Sequence, residues 1–368
     1  MDRFVHGGNI YDDSPSGMKW FDFSANINPL GLSDSVKKAI SDSIKEIVHY
    51  PDPSGKNIKE AISAHYGVDV SEVVLGNGAA ELFYVLMHTI RPQKILLPVP
   101  SFSEYERAAI SSGASVDYFR MLPEEGFRLN QEELIKNAAN YDAVFIGNPN
   151  NPTGCILESD FIIRLVESAP ETTIIIDESF LDFLKSDSGY SVRNQVSRYQ
   201  NLVVVASLTK FYAIPGLRLG FGLMNEQLVK KIDVQKDPWN VNLLAQKAGI
   251  AALADRKYQI KTRNFVDAER EYLLLSLKQL NLGIKLFTST VNFILMDIQK
   301  CSLQHSKSDR ITAEEVATAY RENGVLVRNC DNYPLLGDTY IRIAVRTREE
   351  NNQFLEITKR IFQESDVL

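Results

Sequence analysis

From Ser71 onward the chain alternates short apolar runs with longer amphipathic ones. The apolar runs are Val73–Leu75, Ile95–Leu97, Val116–Phe119, Ala143–Ile146, Thr172–Ile176 and Leu202–Ala206. Their brevity and β-branched content predict strands buried on both faces. Helix-length patterns at Ala79–Thr89, Glu104–Ser112 and Leu157–Glu167 fall between several of them. Such alternation predicts a mostly parallel sheet with helices on both faces, an α/β fold. Beyond about Gly222 the texture changes. Glu226 to roughly Leu277 reads as long helices with few turn signals. Strand candidates follow at Thr290–Met296, Val325–Val327 and Tyr340–Ala344, with helices at Ala313–Asn323 and near Glu349–Phe362. This predicts a smaller α+β unit carried on a long helix. The first forty residues read as irregular, because turn formers crowd them. The expected division is an N-terminal arm over 1–45 that packs with the small domain, a large domain over 46–240, and a linking helix plus small domain over 241–368.

Composition narrows the function classes. A net charge of −7 with scattered Lys and Arg argues against a nucleic-acid partner. No stretch approaches the roughly 18 apolar residues that span a bilayer. The opening MDRFVHGGNIYDDSPSG lacks a basic start followed by an apolar run, so the reading is a cytoplasmic protein. Cys155, Cys301 and Cys330 are few and far apart, without a CxxC, which argues against a disulfide framework and a zinc site.

Several predicted strands end in polar or Gly-rich segments. Leu75 leads into Gly76-Asn77-Gly78, Leu97 into Pro98–Phe102, and Ile146 into Gly147–Gly154. Ile176 leads into Asp177-Glu178-Ser179-Phe180, and Ala206 into Ser207-Leu208-Thr209-Lys210. In open α/β sheets, ligands bind beyond the carboxyl ends of the strands. A lysine just past a buried strand suits Schiff-base chemistry, and Arg218 offers a fork for a phosphate. A carboxylate at Asp177, after an apolar strand, calls for a cation such as a pyridinium nitrogen. Asn151-Pro152-Thr153-Gly154 presents an amide on a rigid turn. Gly76-Asn77-Gly78-Ala79-Ala80-Glu81 offers a helix N-terminus to a phosphate, although Glu81 breaks the dinucleotide fingerprint. Phe102 and Tyr105 are suited to stack on a flat ring. Each feature alone has a plainer reading: a loop lysine, a surface ion pair, a helix-capping Asp, a Pro/Gly turn, core aromatics. The joint order GNGAAE, PSF, NPTG, strand-end Asp, SLTK, GLRLG is the specific signal.

With that order the sequence resembles the fold-type-I enzymes that depend on pyridoxal 5′-phosphate (PLP), over nearly the whole chain. The resemblance implies a large domain with a seven-stranded, mostly parallel sheet and a smaller α+β C-terminal domain. It implies that Lys210 bonds the cofactor aldehyde and that Asp177 pairs with the ring nitrogen. Asn151 falls on the residue that bonds the ring hydroxyl oxygen, and Phe102 on the one that stacks. Ser207, Arg218 and the backbone at Gly78, Ala79 and Ala80 fall on the phosphate site. Tyr50 resembles a tyrosine that reaches the phosphate in the neighbouring subunit, which implies a homodimer with shared active sites.

Within that superfamily the sequence looks most like the branch of histidinol-phosphate aminotransferases and threonine-phosphate decarboxylases. His6–Ile10, Asp22–Gly31, Ser207–Gly220, Val327–Cys330 and Tyr340–Arg346 resemble the decarboxylases in particular. Substrate contacts then fall on His6, Gly7, Asn26, Arg328 and Arg342, with a small phosphorylated amino acid, O-phospho-L-threonine, as substrate. Two arginine forks suit its phosphate and carboxylate, without telling which takes which. Phe180 stands where aminotransferases commonly carry a Tyr, so the ring oxygen loses a donor; the pKa of the lysine–cofactor linkage is expected to rise. Residue chemistry alone leaves open transamination of histidinol phosphate or a related phosphorylated amine, and decarboxylation of O-phospho-L-serine.

Overall fold

The computed structural model describes residues 4–11, 20–304 and 310–362. A short strand β1 (Phe21–Asp22) precedes helices α1 (Asp34–Ser43) and α2 (Lys56–Tyr66). The central sheet comprises β2 (Val73–Asn77), β3 (Lys94–Val99), β4 (Ser115–Arg120), β5 (Ala143–Gly147), β6 (Thr173–Asp177), β7 (Leu202–Ser207) and β8 (Leu219–Leu223). Its order is β2-β8-β7-β6-β5-β3-β4. Every pairing is parallel except the two that β8 makes. Helices α3 (Ala79–Ile90), α4 (Ser103–Ser111), α5 (Gln131–Ala138) and α6 (Ser159–Ser168) lie between its strands in sequence.

Alternation along each strand fills both faces. Ile174 and Ile176 join Val144, Ile146 and Val204 in a core with Ile58 and Ile62 of α2 and Phe161, Ile162 and Leu165 of α6. Ile175, Phe145, Val203 and Val205 point the other way, against Leu82, Phe83, Leu86 and Met87 of α3. This two-sided burial is why the strands read as unbroken apolar runs.

Helices α7 (Glu226–Gln235), α8 (Leu243–Ala254) and the 24-residue α9 (Arg256–Gln279) follow. Then come β9 (Lys285–Leu286), β10 (Phe293–Asp297), α10 (Ala313–Glu322), β11 (Val325–Leu326), β12 (Arg328–Asn329), β13 (Tyr340–Ala344) and α11 (Arg348–Ile361). A four-stranded sheet runs β12-β13-β10-β9, all antiparallel. Strand β1 pairs in parallel with β11, and Phe23 stacks on Phe354 of α11 at 4.7 Å. The N-terminal segment is therefore part of the second core, alongside Leu273, Ile294 and Ile341.

Two expectations need correction, and one strand escapes the sequence pattern. The first forty residues are not wholly irregular: Ser33 caps α1 by accepting from the Val36 N–H, and β1 pairs with β11. The strand expected at Val325–Val327 is two strands, β11 pairing with β1 and β12 with β13. That break puts Arg328 beside Arg342. Strand β8 went unlocated because glycines at 220 and 222 interrupt its apolar pattern.

Candidate active site

Asp177 ends β6 with its side chain buried. Its Oδ1 accepts from the Ser179 N–H at 2.9 Å, and its Oδ2 from the Tyr105 hydroxyl at 2.7 Å. Lys210 follows the adjacent strand β7 by three residues. Its Nζ donates to Ser207 Oγ at 3.2 Å, and Ser207 Oγ lies 2.7 Å from Thr209 Oγ1. Burial pulls the Lys210 pKa down to about 8; Asp177 opposes that and Arg218 reinforces it.

The start of α3 is shaped for an anion. Gly78 is its N-cap, at φ +81, and offers no side-chain cap, so the Ala79 and Ala80 amides at the helix start have no side-chain acceptor from the cap. The Gly78 N–H itself donates to the Gly76 carbonyl at 2.8 Å. A Cβ on Gly78 would lie 2.3 Å from Arg218 Nη2, and one on Gly220 would lie 2.4 Å from the Ala79 nitrogen. Two glycines thus let a guanidinium and a helix N-terminus meet at one spot.

Asn151 is buried, and its Oδ1 accepts from Arg342 Nη1 and from the Tyr333 hydroxyl at 3.3 Å. With the oxygen engaged, the NH2 of the amide is left to donate elsewhere. Phe102 precedes α4 and meets Tyr105 edge-on at 5.6 Å. Amine, carboxylate, amide, aromatic ring and phosphate cradle fit PLP, whose aldehyde, ring nitrogen, ring oxygen and phosphate each need one of them.

Next to this set stand two buried arginines. Arg328 of β12 and Arg342 of β13 are direct cross-strand partners. Arg342 donates to the Ser24 carbonyl at 3.0 Å and to Asn151. Arg328 donates to the Val5 carbonyl at 2.7 Å and to Asn332 Oδ1 at 2.6 Å. Among the described residues, neither has a carboxylate within ion-pairing distance. Arg342 Nε and Asn26 Oδ1 are buried without a hydrogen-bond partner.

The N-terminal segment closes this side. His6 Nε2 lies 2.8 Å from Glu104 Oε1, and its ring is 5.4 Å from that of Phe102. The Gly8 N–H donates to Ser24 Oγ at 2.7 Å, and a Cβ on Gly7 would lie 2.3 Å from the Ser24 carbonyl oxygen. A cleft of about 290 Å³ is lined by His6, Gly7, Ser24 and Arg328, among others. Tyr50 does not join the set. It is exposed, with its ring 4.8 Å from Trp239.

Sequence reasoning missed Glu104 and mistook the part of Tyr105. Glu104 is a buried carboxylate that accepts from Tyr84 at 2.7 Å and pairs with His6. Burial works to raise its pKa, but the His6 and Tyr84 hydrogen bonds and the charges of His6 and Arg107 outweigh it and lower it. A charged residue in the first turn of a predicted helix carries no visible mark of such burial. Tyr105 does not face the site as a stacking ring; its hydroxyl reaches Asp177.

A family model for aminotransferase class I and II matches residues 18–357. A Caldanaerobacter subterraneus protein provisionally named threonine-phosphate decarboxylase is 36% identical over 366 residues, 99% of this chain and 95% of that one. The threonine-phosphate decarboxylase of Salmonella typhimurium is 31% identical over 365 residues, 97% of this chain and 96% of that one. The crystal structure of a histidinol-phosphate aminotransferase from Clostridium acetobutylicum superposes with a TM-score of 0.83 at 31% identity, covering 92% of this chain and 98% of that one. The chain is a PLP-dependent enzyme of the aminotransferase class I and II family.

Proposed function

We propose that the enzyme decarboxylates O-phospho-L-threonine to (R)-1-aminopropan-2-yl phosphate, a building block for cobalamin. The observation that carries this is the Arg328–Arg342 pair. Two buried cations directly opposite each other on paired strands repel. With neutral partners only, they call for a ligand with two anionic groups. A phosphoamino acid has a phosphate and a carboxylate, and each guanidinium fork suits either. The full-length identity to threonine-phosphate decarboxylases supports the same substrate.

Bound PLP supplies an electron sink for the bond that breaks at Cα. The chain's own groups do the rest. Lys210 holds the aldehyde end, and Asp177 neutralises the ring nitrogen. Asn151 donates to the ring oxygen. Ala79, Ala80, Ser207 and Arg218 hold the phosphate, with Gly78 making room for Arg218, and Phe102 covers the ring. Arg328 and Arg342 would hold the substrate's two anions and so fix its orientation in the site. His6, Gly7 and Asn26 close over the substrate and exclude water. Lys210, with its lowered pKa, carries the proton to Cα.

The proposal includes a homodimer in the cytoplasm. Ile44, Ile47, Val48 and Tyr50 are exposed on one short stretch, with Trp239 against Tyr50. A second copy on this face would bury that apolar surface and bring Tyr50 to the partner's phosphate site. Among the described residues no helix is long and apolar enough to cross a membrane. The division into an arm over 1–45, a large domain over 46–240 and a linking helix with small domain over 241–368 goes with this reading. Comparing kcat/KM for O-phospho-L-threonine, O-phospho-L-serine and L-threonine tests it. Loss of the phosphate should cost far more than loss of the methyl; equal use of L-threonine would overturn it.

A further inference from the structure

We propose that Tyr105 is a positioning residue for Asp177, locking the carboxylate that meets the ring nitrogen of the cofactor. This rests on the PLP site and not on the choice of substrate. The Tyr105 side chain is buried and held by aromatic rings on several sides. It stacks on Phe145 at 4.1 Å and 16°, and meets Phe83 and Phe102 edge-on at 5.3 and 5.6 Å. So held, its hydroxyl donates to Asp177 Oδ2 at 2.7 Å. The Ser179 N–H takes Oδ1 at 2.9 Å. Both oxygens are therefore tied to donors on different elements, α4 and the turn after β6, and the carboxylate plane cannot rotate freely.

Strand β5 makes room for this contact. Gly147 is the register partner of Asp177, and a Cβ there would lie 3.1 Å from the Tyr105 hydroxyl. A larger residue would crowd the oxygen away from Asp177. The hydroxyl also stays a donor, since burial and then the Asp177 charge push the Tyr105 pKa well above its ordinary value. Its hydrogen bond holds Asp177 Oδ2 in one orientation while the Ser179 N–H holds Oδ1. A carboxylate fixed in this way would meet the ring nitrogen of the cofactor in one geometry, where the electron-sink chemistry needs its charge.

Tyr105→Phe removes the hydroxyl and keeps the stacked ring. The readout is binding of PLP and of its 1-deaza analogue, in which carbon replaces the ring nitrogen, to the apoprotein. A charge-assisted hydrogen bond of this kind predicts that preference for PLP over the analogue falls about tenfold, with kcat lowered and KM for substrate unchanged. Gly147→Ala, which keeps the tyrosine but crowds its hydroxyl, should shift the same ratio in the same direction, and decides the matter if Tyr105→Phe fails to fold. Equal weakening toward both ligands would make Tyr105 a packing residue only. An unchanged ratio in the variants would likewise overturn the proposal. Failure of the unmodified apoprotein to bind PLP would instead count against the PLP site itself.

Discussion

Gly78 and Arg218 share one space: a single methyl on the glycine would stand 2.3 Å from the guanidinium of the arginine. The contact joins the N-terminus of α3 to the loop before β8 and makes, from two distant segments, the place proposed for the cofactor phosphate. Gly78→Ala would also force an L side chain to φ +81. Strain and displaced charge together predict PLP affinity weakened roughly ten- to a hundredfold. The overall fold should persist, because the apolar faces of α3 are untouched. Titration of apoprotein with PLP, beside a thermal melt, checks both statements.

Lys210 must lose its proton before it can attack an aldehyde. Its pKa of about 8, against an ordinary 10.5, sets the range. The rate of holoenzyme formation should rise about tenfold per pH unit below 8 and level off above it. An inflection near 10.5 would contradict the burial argument. The linkage has a matching sign: a lowered lysine pKa means the folded state disfavours the charged form. Apoprotein should therefore gain stability as pH climbs from about 8 toward 10.5, and Lys210→Ala should reduce that gain, leaving the share that the burial-lowered Lys59 supplies.

Arg328→Met and Arg342→Met each remove one cation from a repelling pair. KM for O-phospho-L-threonine should rise roughly ten- to a hundredfold in either variant. Melting temperatures of the apoproteins should change little, because no carboxylate is orphaned. Arg342→Lys should not restore wild-type KM, since an ammonium cannot bond Asn151 and Ser24 in the same fork. Steady-state kinetics and thermal melts give both numbers.

Phe180 is buried, with its ring centroid 6.0 Å from Lys210 Nζ. It offers no donor to the ring oxygen of the cofactor. Phe180→Tyr should lower the pKa of the lysine–cofactor linkage, read as an absorbance titration of the holoenzyme. An acidic linkage pKa in the unmodified protein would contradict the account.

Much of the proposed cofactor site was legible in the sequence because its residues sit just past strands whose apolar runs are unmistakable. Asp177 after Ile176 and Lys210 after Ala206 follow from the pattern itself. Strand β8 was not legible, because Gly220, which admits Ala79, and Gly222, which faces Val74 and Met224, also erase its periodicity. The pairing of Arg328 with Arg342 depends on a strand break at Val327 that no propensity marks. Glu104 and Tyr105 lie in an ordinary amphipathic helix, and their roles arise from contacts with residues 98 and 72 positions away. Local pattern cannot carry such distances.

The most direct measurement is a single-turnover reaction of holoenzyme with O-phospho-L-threonine, O-phospho-L-serine and histidinol phosphate, each without keto acid. The account predicts CO2 release, fastest from O-phospho-L-threonine, with the starting absorbance spectrum regained. Conversion of the cofactor to pyridoxamine phosphate by histidinol phosphate, with no CO2 from either phosphoamino acid, would contradict it.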